Sequence, residues 1–181
     1  EGDEPLFIAL AQTMHRHRLP LAPFTDLIAA FEADQRTTRH QTWQSLIDYS
    51  KGSANPVGRL VLMLCGYRPP EEDPANTARW AMSDAICTAL QLTNFWQDVR
   101  RDLLERDRVY LPLTETGLTV EQLRMWMDSP DLGREEYRAA MRPLVARTWD
   151  LFDFGRALPS TLRPDIAPVI RLFQAGGEAI L

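Results

Sequence analysis

The sequence predicts an all-α protein of one domain, and three observations carry that prediction. Apolar residues recur at helical spacing, as in Leu6, Leu10 and Met14. No alternation of apolar and polar residues continues beyond four positions, and no Asn-Gly or Asp-Gly hairpin signal occurs. The 181 residues, 45% hydrophobic and 25% charged, have a globular composition and suit a single domain.

The first half of the chain is punctuated by proline and glycine. Pro5, Pro23 and Pro74 are placed where helices can begin, because proline fits the first helical turn. Gly66, with two prolines soon after it, is expected to end the helix that passes through Val57–Cys65. These signals predict short helices separated by tight turns.

The segment from Pro74 to about Glu105 has no further proline and no glycine. As one helix it would be roughly 45 Å long, at about 1.5 Å per residue. We expect it to be the spine of the fold. Beyond it the sequence predicts an extended segment over Val109–Pro112 and a turn at Gly117. Three helices follow: Thr119–Met127 with Thr119 as N-cap, Glu135–Leu158 with a kink at Pro143, and Pro164–Leu181.

Composition and charge exclude several function classes. The net charge of −5 argues against a nucleic-acid partner. No uninterrupted apolar run exceeds six residues, well short of the roughly 20 that span a bilayer. Cys65 and Cys87 lack the spacing of a metal or redox motif, so we expect two buried thiols in a cytoplasmic protein. His15, His17 and His40 are expected on the surface.

Polar residues form a stripe along one face of the long predicted helix. At about 100° per residue, Gln91, Asn94, Asp98 and Asp102 fall within about 80° of each other. Two carboxylates four residues apart, preceded by a carboxamide, offer only oxygen ligands, which suit Mg²⁺ rather than zinc. Spacing alone leaves a second interpretation open: a solvated helix face whose acids pair with neighbouring arginines.

Two motifs resemble those of the squalene and phytoene synthase family. Gln91-x2-Asn94-x3-Asp98-x3-Asp102, followed by Arg108-x-Tyr110-x-Pro112, resembles its second aspartate-rich motif, and Tyr49–Gly58 resembles its tyrosine-to-Val-Gly segment. The resemblance covers essentially the whole chain. It implies an all-α prenyl-synthase fold with a central hydrophobic cavity, Mg²⁺ as cofactor and a prenyl diphosphate as substrate.

The resemblance also implies roles for individual residues. The metal ligands would be Asn94, Asp98 and Asp102, with the two aspartates counted as catalytic. Tyr49 would be a catalytic residue near the reacting carbons, beside cavity-lining candidates such as Phe95, Trp96 and Met63. The remaining implied residues would contact the substrate: Gln91, Gln97, Arg108, Tyr110 and Ala54.

Within the family, the stretches 53–60 and 94–98 look most like the branch that makes hydroxysqualene from presqualene diphosphate in bacterial hopanoid synthesis. Gln97 replaces the family's usual arginine, and Asp107 replaces its usual glycine. Losing a cation there argues mildly against holding two diphosphates at once. Two alternatives stay open: a head-to-head transferase making squalene or phytoene, and a non-catalytic relative that acts as a scaffold.

The resemblance further implies how the chain relates to its surroundings. The family's first aspartate-rich motif is expected just before this sequence, with Glu1-Gly2-Asp3 as its trailing edge, and 176–181 resembles the middle of the last family helices. Because a C30 hydrocarbon hardly dissolves in water, we expect transient contact with the inner membrane surface. Contact with other hopanoid-pathway enzymes is a further expectation.

Overall fold

The structure is a computed structural model that describes residues 4–129 and 131–181. In these residues the one β pairing is an isolated bridge between Arg39 and Val109. The fold is all-α, as predicted. Nine α-helices and two 3-10 turns make up the described chain: α1 Pro5–His17, α2 Ala22–Ala33, α3 Trp43–Ser53, α4 Asn55–Leu64, the turn Pro74–Asn76, α5 Thr77–Arg106, α6 Leu113–Thr116, α7 Val120–Asp128, α8 Arg134–Gly155, the turn Leu158–Thr161 and α9 Ala167–Ile180.

Helix α5 is the spine of the fold, as its uninterrupted sequence predicted. It is 30 residues long and contacts α3, α4, α7, α8 and α9. Ala89, Leu92 and Leu103 on this helix are completely buried. Since so many helices pack around α5, the positions of its side chains are fixed by the core of the whole domain.

The helix ends follow the sequence signals closely. The Thr119 hydroxyl accepts a hydrogen bond from the Gln122 N–H (3.2 Å), and the Gln122 side chain accepts one from the Thr119 N–H (2.9 Å). This reciprocal capping satisfies two donors at the start of α7. Pro143 lies inside α8. The predicted helix starts and stops therefore place the elements correctly to within a few residues.

Gly58 allows α4 to approach α5 closely. A Cβ atom at this position would lie 2.5 Å from Cys87 Sγ and 2.6 Å from Ser83 Oγ. Both distances are shorter than real Cβ contacts, so a larger residue would push the helices apart. The Val-Gly part of the family-like segment thus has a packing reason. Burial also raises the pKa of the Cys87 thiol to about 11.

The segment after α5 returns to the α2–α3 connection. The Val109 N–H donates to the Thr38 carbonyl (2.9 Å), and the His40 N–H donates to the Val109 carbonyl (3.4 Å). This pairing buries His40, which is only 5% exposed. The expectation of a surface His40 was therefore wrong: a polar stretch between helices is drawn inward because its backbone pairs with an extended segment.

Candidate active site

The acidic end of the candidate site lies on the last turns of α5. We call Asn94, Asp98 and Asp102 the carboxylate face. The Asp98 side chain is 25% exposed and the Asp102 side chain 6%. Arg101 Nη2 lies 2.5 Å from Asp98 Oδ2 and 3.5 Å from Asp102 Oδ1, so one guanidinium bridges both carboxylates. Arg106 Nη1 lies 3.3 Å from Asp102 Oδ1.

The charge on Asp102 is poorly solvated. Burial raises the pKa of Asp102 above its usual value, and the negative charge of Asp98 adds to the rise. Arg101 and Arg106 act in the opposite direction but do not cancel it. A cation placed between the two aspartates would stabilise the ionised form. The electrostatics of this end therefore favour a positively charged ligand.

The donors of the carboxylate face are of the kind that Mg²⁺ sites use. Among residues 4–129 and 131–181, no three His, Cys, Asp or Glu side chains are grouped so as to hold a metal ion. Two carboxylates and an amide oxygen nevertheless fit Mg²⁺, which keeps several waters and completes its octahedron with substrate phosphate. The donor set fits a substrate-bridged Mg²⁺ better than a fully protein-bound ion.

A second carboxylate, which the sequence did not single out, organises the other end of the site. Asp34 follows α2, and its side chain is 15% exposed. Tyr49 Oη donates a hydrogen bond to Asp34 Oδ2 (2.9 Å), and Tyr110 Oη donates to Asp34 Oδ1 (3.0 Å). Arg108 Nη2 donates to the Asp34 carbonyl (2.8 Å), and its Nη1 lies 3.5 Å from Oδ2. Three predicted site residues thus meet on one unpredicted aspartate.

Four rings surround these hydroxyls, and we call them the aromatic cluster: His40, Tyr49, Phe95 and Tyr110. Phe95 and Tyr110 stack with ring centroids 4.2 Å apart and planes 3° apart. Tyr49 lies 5.9 Å from Phe95 and 5.8 Å from Tyr110. His40 stacks on Tyr110 at 5.5 Å. Stacked rings present electron-rich faces, which attract cations.

The ionisable members of the aromatic cluster are held neutral. Burial, reinforced by the charge of Asp34, raises the pKa of Tyr49 well above its usual value and that of Tyr110 to about 12. Burial lowers the pKa of His40, and Asp34 only partly opposes this. At neutral pH both phenols therefore keep their protons. The cluster is an uncharged, largely buried group of rings beside one shielded carboxylate.

The two ends of the site adjoin each other along α5. Phe95, the ring that stacks on Tyr110, lies three positions before Asp98 and seven before Asp102, so these residues share one side of α5. The Arg108 N–H donates to the Asp102 carbonyl (2.9 Å), which ties the Tyr110 segment to the end of the helix. The acidic end and the aromatic end are thus linked through Arg108, which contacts both Asp102 and Asp34.

Other predicted substrate residues lie apart from this hydrogen-bond network. Gln91 is half-buried and Ala54 is buried at the α3–α4 junction. Gln97 points to another side of α5, where it lines a cavity of about 540 Å³ bounded by α7 and α8. Trp96 lines the same cavity, and its Nε1 donates to Thr148 Oγ1 (3.0 Å). The substrate-contacting or cavity-lining roles of Gln91, Ala54, Gln97 and Trp96 therefore stay predictions.

Asp107 occupies a backbone position that favours glycine. Its φ is 51°, in the left-handed region, where it ends α5. An aspartate tolerates this conformation better than most residues do. Its carboxylate is also held by Arg39 (2.7 Å) and Arg124 (2.6 Å), which lower its pKa. The left-handed backbone therefore explains why glycine suits position 107. In this chain the aspartate at that position makes two ion pairs as well.

Nothing in the linear sequence distinguishes Asp34 from exposed acids such as Asp26. Its partners are 15, 74 and 76 positions away along the chain. Only the return of the segment after α5 onto the end of α2 brings them together. Asp34 and His40 are thus the site residues that sequence reasoning missed.

Known proteins match this fold and these motifs. The family model for squalene/phytoene synthase matches residues 1–181. The crystal structure of squalene synthase HpnC from Alicyclobacillus acidocaldarius superposes with a TM-score of 0.85 at 40% identity, covering 97% of this chain and 63% of that one. The fold is therefore an all-helical isoprenoid synthase fold.

Two curated relatives with similar sequences are hydroxysqualene synthases. Hydroxysqualene synthase of Zymomonas mobilis subsp. mobilis is 38% identical over 144 residues, 77% of this chain and 46% of the relative. Hydroxysqualene synthase of Sinorhizobium fredii is 32% identical over 159 residues, 86% of this chain and 50% of the relative. This chain belongs to the squalene/phytoene synthase family. It spans about half the length of these curated relatives.

Proposed function

We propose that this protein takes part in converting presqualene diphosphate and water to hydroxysqualene and diphosphate. The observation that carries the proposal is the link between the carboxylate face and the aromatic cluster, made by Phe95 on α5 and by Arg108, which contacts both Asp102 and Asp34. One end suits the anionic leaving group with its metal, and the other suits a carbocation. Similarity to two hydroxysqualene synthases supports the choice of substrate.

In this proposal the carboxylate face would hold Mg²⁺ and, with it, the diphosphate end of the substrate. Asp98 and Asp102 would supply carboxylate oxygens, and Asn94 would supply an amide oxygen from the preceding turn. Bound there, Mg²⁺ would stabilise the negative charge that develops on the leaving group. Arg101, which bridges the two aspartates, lies where it can also pair with a phosphate oxygen. The exposed Asn94 leaves this side open to the substrate.

The aromatic cluster then faces the cation left on the hydrocarbon. Phe95 and Tyr110 offer stacked ring faces that stabilise positive charge without reacting with it. Water captures the rearranged cation: its oxygen forms the new C–O bond, and the proton that it loses balances the charge of the departing diphosphate. The conversion needs no reductant, because no carbon is reduced overall.

An apolar cavity farther along the spine supports a hydrocarbon substrate. It has a volume of about 220 Å³ and lies between α4, α5 and α9. Leu90 and Cys87 line it from α5, and Val57 and Val61 line it from α4. Leu90 lies one helical turn before Asn94, so the cavity and the polar stripe share a side of α5. Part of a prenyl chain would be shielded from water there.

The second candidate function is head-to-head condensation of two prenyl diphosphates. The similarity to a crystal structure described as a squalene synthase favours it. The arginine-to-glutamine difference at Gln97 bears on it only if that side chain reaches a diphosphate, and Gln97 lines a separate cavity. A non-catalytic scaffold is the third candidate, although such a protein would not need Asn94, Asp98 and Asp102 together.

The surroundings of the enzyme follow from its substrate. No helix in the described part of the chain is long and apolar enough to cross a membrane. Apolar side chains such as Leu6 (71% exposed) and Leu172 (72%) are available for transient contact with a lipid surface. We propose such contact at the cytoplasmic side, with product passed to other hopanoid-pathway enzymes and no nucleic-acid partner.

Product analysis tests the proposal. The full-length protein is incubated with presqualene diphosphate and Mg²⁺ without NADPH, and extracts are analysed by mass spectrometry. We expect a Mg²⁺-dependent alcohol of squalene that disappears in Asp98→Asn and persists in Asp150→Asn, an exposed acid on α8. Condensation of farnesyl or geranylgeranyl diphosphate, with presqualene diphosphate untouched, would establish the transferase. No turnover of any of these would favour the scaffold.

A further inference from the structure

We propose that Asp34 is a positioning residue that fixes the hydroxyl protons of Tyr49 and Tyr110, so that both phenol oxygens offer only lone pairs to the reacting centre. The inference rests on the proposed function, since it assigns Tyr49 and Tyr110 to the cation side of that reaction. It adds a residue that the sequence motifs did not single out.

The geometry leaves each phenol one role. Asp34 has two carboxylate oxygens, and each accepts one tyrosine hydroxyl, at 2.9 and 3.0 Å. A tyrosine hydroxyl carries a single proton, so once it donates that proton its oxygen can only accept further hydrogen bonds. In both hydrogen bonds the tyrosine is the donor and an Asp34 oxygen the acceptor. The direction of both hydrogen bonds is therefore fixed.

Arg108 holds the carboxylate where both hydroxyls can reach it. Its Nη2 donates to the Asp34 carbonyl at 2.8 Å, and its Nη1 lies 3.5 Å from Oδ2. Both side chains are shielded, 19% exposed for Arg108 and 15% for Asp34. Shielding strengthens the interaction because the local dielectric is low. Three segments that are distant in sequence, the end of α2, helix α3 and the segment after α5, are thus locked together.

The lone pairs of the Tyr49 and Tyr110 oxygens can take part in the proposed reaction in two ways. An oxygen whose proton points away carries its negative partial charge toward the aromatic cluster, where it adds to the ring faces of Phe95 and Tyr110 in stabilising a cation. The same lone pair can accept a hydrogen bond from the water that attacks. The water is then oriented with its oxygen toward the carbon, which matters for the rate more than for binding.

The first test compares three carboxylate variants of the full-length protein with presqualene diphosphate and Mg²⁺. We expect Asp34→Asn to lower kcat about 100-fold with KM changed less than about 3-fold, as for a misplaced reacting group. Asp34→Glu keeps both acceptors and should recover part of kcat. Asp48→Asn is the matched control, because Asp48 precedes Tyr49 but is exposed and pairs with Lys51. Wild-type kcat in folded Asp34→Asn would overturn the proposal.

A double variant separates positioning from stability. If Asp34 acts through the two tyrosines, then the double variant Tyr49→Phe/Tyr110→Phe and the same variant with Asp34→Asn added should have nearly the same kcat, because both lack the two oriented oxygens. A further loss of kcat on adding Asp34→Asn would show that Asp34 acts independently of the tyrosines and would contradict the inference. Tyr49→Phe/Tyr110→Phe leaves Asp34 and Arg108 in place, so wild-type kcat in this variant would also overturn the inference where Asp34→Asn folds poorly.

A spectroscopic test needs no turnover and so stands apart from the proposed function. Tyrosines labelled with ¹³C at Cζ report the hydrogen bonding of each hydroxyl by NMR at neutral pH, with assignments from Tyr→Phe variants. We expect Asp34→Asn to shift the Tyr49 and Tyr110 resonances and to leave Tyr67 and Tyr137 in place. Unshifted Tyr49 and Tyr110 resonances would overturn the inference, whereas shifted resonances in a protein that does not convert presqualene diphosphate would refute the proposed function alone.

Discussion

The two ends of the candidate site are held in different ways. In the aromatic cluster, ring centroids lie 4.2 to 5.9 Å apart, and both tyrosine hydroxyls donate to the shielded Asp34. On the carboxylate face, the donors belong to one helix; the half-exposed Arg101 bridges Asp98 and Asp102, and the half-exposed Arg106 pairs with Asp102. One end is fixed by contacts between distant segments, and the other only by its helix.

This difference indicates which part of the chemistry the fold prepares in advance. In the proposed reaction, the aromatic cluster needs no further partner, because hydrophobic packing and buried hydrogen bonds form it during folding. The carboxylate face has donors on one helix and would depend on a bound cation to offset its negative charges. Substitutions in the aromatic cluster should therefore change stability, whereas substitutions on the carboxylate face should mainly change activity.

The largest effect is expected on the carboxylate face. Asp98→Asn keeps the size of the side chain and removes the charge that Mg²⁺ needs, so turnover should fall at least about 100-fold. The melting temperature should stay close to that of wild type, because Asp98 pairs only with the half-exposed Arg101. Steady-state kinetics with a melting curve measures both. Full activity of the variant would remove Asp98 from the metal site.

The next largest effect is a loss of stability in the aromatic cluster. Phe95 is 6% exposed and stacks on Tyr110, so Phe95→Ala should lower the free energy of unfolding by about 3 kcal/mol. Leu104→Ala on the same helix removes a side chain that is 45% exposed and should cost less than about 1 kcal/mol. Urea denaturation measures the two values. Equal losses would mean that Phe95 is not part of a packed cluster.

One chemical change made at both ends compares them directly. Arg108→Gln breaks shielded hydrogen bonds to Asp34 and should cost about 2 kcal/mol. Arg101→Gln breaks pairs with Asp98 and Asp102 at a side chain that is 46% exposed, and should cost less than about 1 kcal/mol. Denaturation in low and high salt is the measurement, and only the Arg101 contribution should fall in high salt. The reverse order of costs would contradict the contrast between the ends.

The smallest effect on stability is expected at Asp107, where α5 ends. Asp107→Gly relieves a positive φ but loses exposed pairs with Arg39 and Arg124, so stability should change by less than about 1 kcal/mol. Asp107→Val should be clearly less stable, because a β-branched residue fits the left-handed region poorly. A melting series of the two variants tests the conformational reason. Equal stabilities would refute it.

Local signals in the sequence were enough to predict most of the fold. Periodicity, Pro74 and the capping pair at Thr119 and Gln122 act over a few residues, and the helices that they predicted are present. The carboxylate face could also be predicted, because residues four apart on a helix share a face whatever packs around them. These features depend on spacing alone.

The aromatic end could be predicted only in part. The family-like motifs pointed to Tyr49, Arg108 and Tyr110, but not to the carboxylate that joins them. Asp34 and His40 acquire their partners when the segment after α5 pairs with the α2–α3 connection, a contact over about 70 residues. No periodicity records such a contact. Gln97 shows the same limit in reverse, because adjacency to Asp98 in sequence did not place it on the same side of α5.

Calorimetric titration of inorganic diphosphate in the presence of Mg²⁺ tests the separation of the two ends most directly. It is run on the full-length wild-type protein, Asp98→Asn and Asp34→Asn. We predict that Asp98→Asn weakens binding at least about 10-fold, equivalent to about 1.4 kcal/mol, and that Asp34→Asn stays within about 2-fold of wild type. Unchanged binding in Asp98→Asn, or equal weakening in both variants, would contradict a site whose acidic end binds the leaving group and whose aromatic end does not.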